Sequence, residues 1–134
     1  SAQGGVAAET VAWLPQALTP RAGARWVGID DERATVTIDA AGTDIDVQVA
    51  IDDDGQIRWI GLDRWNSVAT PPAFASFGGS VSSTHTAPNG VCIAGGGTVG
   101  WDWHTPFEAD GVFFRYHVTA ADFSEPVESV ATSR

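Results

Sequence analysis

Gly97-Thr98-Val99-Gly100-Trp101-Asp102-Trp103-His104 alternates strictly between two kinds of side chain. Successive residues of an extended chain face opposite sides of a sheet. Val99, Trp101 and Trp103 therefore share one face, and Gly100, Asp102 and His104 the other. The next extended stretch is Val112-Phe113-Phe114-Arg115-Tyr116-His117-Val118. Its Val112, Phe114, Tyr116 and Val118 share a face, with Phe113, Arg115 and His117 behind. A hairpin of the two must bring the apolar faces together. The register that does so sets Trp103 against Phe114, Trp101 against Tyr116, Val99 against Val118, and Asp102 against Arg115. The expectation is an aromatic wall backed by a small charged cluster.

Working towards the N-terminus, Gly95-Gly96-Gly97 predicts a bulge or sharp bend. Ala87-Pro88-Asn89-Gly90 predicts a hairpin turn between Ser80–Thr86 and Gly90–Ala94. Residues 63–79 carry Pro71-Pro72, Phe74 and Phe77 among small residues and read as a long loop, a lid with Phe74 or Phe77 as its plug. Earlier still, Asp44–Ile51 and Gln56–Leu62 flank Asp52-Asp53-Asp54-Gly55, another hairpin signal. Their alternation predicts Val47, Val49, Ile51, Ile57 and Trp59 as core. Strands are also expected over 24–29 and 33–39. Residues 6–18 form the one helical pattern, with Pro15 expected to break or kink it. The fold class that follows is α+β. It is one domain over 1–134, a mainly antiparallel, strongly curved sheet or half-barrel of roughly seven to eight strands packed on one N-terminal helix. Residues 1–5 and 124–134 are expected to be weakly ordered.

Composition narrows the function classes. The chain has 134 residues, a net charge of −10, and 43% hydrophobic content. All seven basic residues are Arg. A nucleic-acid groove needs a basic stripe, and none is present. No apolar run reaches the ~18 residues of a membrane span, and no signal peptide is visible. The chain thus reads as soluble and cytoplasmic, and its missing initiator Met reads as processing or excision from something longer. The single cysteine, Cys92, reads as a small buried hydrophobe.

Several weak motifs occur in a recognisable order. Ala8-Glu9-Thr10-Val11-Ala12-Trp13-Leu14-Pro15-Gln16-Ala17-Leu18 is followed by Arg25-Trp26 and Ile29-Asp30, then Ile51-Asp52-Asp53-Asp54-Gly55, Asn89-Gly90-Val91-Cys92-Ile93 and Val99-Gly100-Trp101. In this order they resemble a bacterial family still classed as a domain of unknown function. The resemblance runs from about Val6 to Phe123 and covers the C-terminal part of the family's longer members. Asn89 and Ala94 stand where that pattern has Asp and Pro. The resemblance implies a fold but no activity. A shortened member would close its sheet differently or pair with another copy, as a homodimer.

Candidate chemistry falls into two groups. Asp102, His104, Arg115 and His117 would share the polar face of the hairpin, as an acid/base set without a cofactor or as an ordinary solvated ion pair. His85, His104 and His117 lack any metal-ligand spacing. The six tryptophans are the less ordinary feature for this length. Trp13, Trp26, Trp59, Trp101 and Trp103, with Phe114 and Tyr116, are expected to line one pocket for a small hydrophobic molecule or lipid. The alternatives are an enzyme using Asp102, His104 or His117 in that pocket, and a structural or partner-binding domain with a filled core.

Overall fold

The computed structural model describes residues 2–106 and 108–123. Period-two patterning dominates, and the described residues form eight strands in one antiparallel sheet that is not closed. The strands are β1 (Arg25–Gly28), β2 (Arg33–Ala40), β3 (Thr43–Ile51), β4 (Ile57–Asn66), β5 (Ala73–Ser80), β6 (Ser83–Thr86), β7 (Cys92–Trp101) and β8 (Val112–His117). The first five pair in chain order, then β7 pairs with β5, β6 and β8. The expected α+β curved sheet on one helix is what forms.

Helix α1 spans Ala2–Trp13 and lies on one face of this sheet, here called the inner face. It ends before Pro15, which cannot continue the hydrogen-bond ladder and instead opens a short 3₁₀ turn over Pro15–Leu18. The break falls where the sequence predicts it, but the helix starts earlier, taking in residues 2–5. The expected weak order at 124–134 lies outside the described residues. Ala7 and Val11 of α1 are sealed against Val36, Ile38, Val47, Val49 and Ile60. These strand residues alternate with the polar set Thr35, Thr37, Asp46 and Gln48 on the other, outer face.

Three predictions are corrected. Residues 63–79 are not a lid but most of a hairpin, β4 and β5, paired from Trp59–Ser80 to Asn66–Ala73. Phe77 is buried in it, whereas Phe74 is exposed at its tip against Trp65, with ring centroids 5.2 Å apart. Gly, Ala and Ser hide this strand because they are weak strand formers. Secondly, Ile57 and Trp59 do not share a face. Ala50 pairs with Trp59 but Ile51 with Ile57, so Arg58 is an extra residue. Such a bulge turns the strand, leaving Ile57 inside and Trp59 outside. Val47 and Val49 are buried, while Ile51 is 36% exposed.

Thirdly, the β7–β8 register differs by four residues. Val99 faces Phe114, Gly97 faces Tyr116 and Thr98 faces Arg115. An even shift keeps the faces matched, so the alternation survives while the partners change. β7 is a single strand from Cys92, and it stops at Trp101. Asp102 has a φ of 58° and His104 one of 59°, both left-handed. That conformation is costly for non-glycine residues and reverses the chain into the short helix α2 (Glu108–Gly111).

Reversal carries Trp103 across to the outer face. There Gly61 of β4 pairs with Gly78 of β5, and Gly78 pairs with Gly100 of β7. A Cβ on Gly78 would stand 2.6 Å from the Trp103 indole, and one on Gly61 2.9 Å. Both are closer than real Cβ contacts come, so the missing side chains are what let the indole lie on the sheet.

Candidate functional site

Beside the packed stripe of α1, between the helix and the inner face, lies a cavity of about 220 Å³. Ala8 and Ala12 form its helix side, and Ile57, Ile60, Phe77, Val99, Phe114 and Tyr116 its sheet side. Trp13 closes one end, ring edge to Tyr116 at 5.7 Å and 82°. Both rings have their polar atom engaged elsewhere. Trp13 Nε1 donates to the Ala94 carbonyl at 3.1 Å, and the Tyr116 hydroxyl donates to the Ser80 carbonyl at 3.2 Å. With those groups satisfied by backbone, what faces the cavity is mostly ring and methyl. Burial pushes the Tyr116 phenol above its usual range.

One charged group is built into this wall. Arg64 also lines the cavity, its guanidinium carbon 4.5 Å from the Phe77 ring centroid and 5.4 Å from that of Trp101. Gly4 of α1 leaves room for its stem, since a Cβ there would come within 2.8 Å of the Arg64 Cγ. Stacking on two rings holds the planar cation beside an apolar space. Among the described residues, Glu9 is the only acidic one that lines it.

A second depression lies on the outer face, a groove of about 370 Å³. Three rings cluster at it: the His104 imidazole stacks on Trp103 with centroids 4.7 Å apart and planes 21° apart, and meets Trp59 edge to face at 4.6 Å. Thr35, Asp46, Gln48, Asp63 and Ser76 supply polar groups beside the rings.

The profile of a family of unknown function (DUF6544) matches residues 1–114. The chain belongs to this family. No curated protein and no solved structure matches it. The part matched to DUF6544 begins with α1 and ends within β8, so it includes every residue named above for the cavity except Tyr116.

Of the residues expected in one pocket of this DUF6544 domain, the structure brings together Trp13, Phe114 and Tyr116. Trp101 is on the same face but packs behind the wall, against Phe77 at 5.1 Å. Trp59 and Trp103 belong to the outer groove. Trp26 sits near the β1 edge, 42% exposed, its Nε1 donating to the Leu18 carbonyl at 2.7 Å. The single pocket is thus two, on opposite faces. The reasons are the bulge at Arg58 and the reversal at Asp102, neither of which alternation can register. Arg64, Phe77, Val99, Ala8 and Ala12 were missed as lining residues. Once 63–79 is read as strand, alternation puts Arg64 and Phe77 on the inner face.

The expected acid/base set does not assemble. Arg115 faces Thr98, four residues before Asp102 along the chain, and His117 faces Gly96. His104 lies over the outer face, its backbone N–H donating to Glu108 Oε1 at 2.8 Å. Among the described residues no three of His, Cys, Asp and Glu are grouped as metal ligands, and His85 is placed apart on β6. Among the described residues no helix is long and apolar enough to cross a membrane.

Proposed function

We propose that this domain binds a small apolar molecule between α1 and the inner face of its sheet. The observation that carries this reading is the roughly 220 Å³ cavity, walled by Trp13, Ile60, Phe77, Val99, Phe114 and Tyr116. Apolar cavities of about 150 Å³ hold a benzene-sized guest. This one suits a ring-sized molecule or a short stretch of acyl chain, with Arg64 at its wall for a polar end. The setting proposed is bacterial, on the motif resemblance, and cytoplasmic as part of the same reading. A net charge of −10 argues against a nucleic-acid partner. Pairing with a second copy through the exposed β1 edge belongs to the same reading.

The test is native mass spectrometry of the purified protein together with titration of a fluorescent hydrophobic probe. The expected result is a copurifying apolar molecule, or saturable probe binding. Ala8→Phe, which fills the slot from the helix side, should abolish probe binding while melting stays cooperative. Probe binding unchanged in Ala8→Phe would show that the cavity is not the site.

A further inference from the structure

The inner cavity is long and its two ends differ, and we infer that its ligand is an amphipathic carboxylate, a medium-length acyl chain with its carboxylate at Arg64. This inference rests on the cavity being the binding site. Along α1 the lining runs through Gly5, Ala8, Ala12 and Trp13. The eight steps from Gly5 to Trp13, at about 1.5 Å each, make that wall about 12 Å long. β4 runs beside it from Arg64 back to Ile57. Arg64 lies against α1 at Gly4 and Gly5, where a Cβ on Gly5 would meet its Nη2 at 3.4 Å, so it marks one end. Trp13 and Tyr116, whose polar atoms are engaged by backbone carbonyls, close the other. A molecule lying along this space meets a cation first and then only rings and methyls.

What selects a carboxylate is the sign and shape of the charge at the Arg64 end. Among the described residues, Arg64 is the only basic one that lines the cavity. The Phe77 and Trp101 rings hold the plane of its guanidinium. Its N–H donors then point outward along the edge of that plane, which a carboxylate meets through two parallel hydrogen bonds. Five donors are more than one partner takes up, so a protein group and a ligand can share the side chain. α1 turns its positive end towards the same place, with no acidic residue in its first turn. Glu9 lines the cavity one turn further along and is exposed, so water and salt screen its charge. An alkylammonium would bring a like charge to Arg64 and the helix end, and a neutral alcohol gains little from either.

The test is displacement of N-phenylnaphthylamine, a neutral fluorescent probe, by octanoate, octanol and octylamine at neutral pH. Octanoate should displace it from the wild type at about one-tenth of the concentration that octanol needs, with octylamine the weakest. Arg64→Met, which keeps an unbranched stem against the rings, should remove this preference. Arg64→Lys should keep part of it, and Glu9→Gln all of it. The probe itself should bind the three variants as it binds the wild type. The wild-type ranking requires no substitution, so it decides even where Arg64→Met fails to fold. The inference is overturned if octanoate displaces the probe no better than octanol, if octylamine is the strongest, or if folded Arg64→Met still prefers octanoate. In each of those results the cavity stands as the site and only the carboxylate is wrong. If neither the probe nor any of the three binds, the cavity reading falls and this inference with it.

Discussion

Single residues here carry measurable consequences because several are unique or sealed in place. Tyr116 is the only tyrosine, so ultraviolet titration of the phenolate reports on it alone. Burial of its ring raises its pKa above the usual phenol value of about 10. The folded chain therefore holds the proton to higher pH than the unfolded chain does. Tyr116 contributes stability that is fully present below about pH 10 and is lost as pH rises through the folded-state value. The absorbance midpoint should lie above that of the urea-unfolded protein, and Tyr116→Phe should flatten the alkaline fall in stability. Coincident midpoints would mean that the ring is solvated. Gly78 is a second such position. In Gly78→Ala the new methyl would stand 2.5 Å from the Ile60 carbonyl oxygen and 2.6 Å from Trp103. Overpacking of this kind costs about 1–3 kcal/mol, and the variant should melt lower with red-shifted tryptophan emission.

At the scale of elements, α1 is held by a few small apolar side chains rather than by its own propensity, since Gly4 and Gly5 lie inside it. Val11 is 1% exposed. Val11→Ala should cost about 2 kcal/mol, combining lost transfer energy with the hole left behind. Urea unfolding would show this as a lower midpoint at unchanged slope. The strands differ in how openly the sequence declares them. β2, β3 and the start of β4 are legible because Val and Ile alternate with Thr, Asp and Gln. The Asp52–Gly55 turn is legible from its residues, and Asp52 Oδ1 indeed accepts from the Asp54 and Gln56 amides at 2.9 and 3.0 Å. β5 is not legible, since Ala, Ser and Gly give neither propensity nor contrast between faces. β7 is half legible. Its glycines look like an interruption, but they are the price of crowding β6, β5 and β8 against one strand. Three cavity residues, Trp13, Phe114 and Tyr116, follow from ring content and alternation. The outer position of Trp59 and Trp103 depends on an added residue and a left-handed backbone. Both are geometric events with no periodic trace.

At the scale of the whole molecule, two of its concave surfaces lie back to back on the sheet, one apolar on the helix side and one polar on the other. Ala8→Phe should remove hydrophobic-probe binding, checked by titrating the variant and the wild type side by side. What divides the two surfaces is slight. At Gly61 and Gly78 no side chain stands on the outer side, and the Trp103 ring rests on the strands themselves, while Gly78 and its neighbour Gly79 also border the inner cavity. The partition there is one peptide thick. A guest that spreads β4 from β5 by a fraction of an ångström on the helix side must tilt the indole lying on the far side. With 5-fluorotryptophan in place of tryptophan, the fluorine signal of Trp103 should register an inner guest that it never touches. The sheet then acts as a diaphragm, and the state of one chamber can be read from the other.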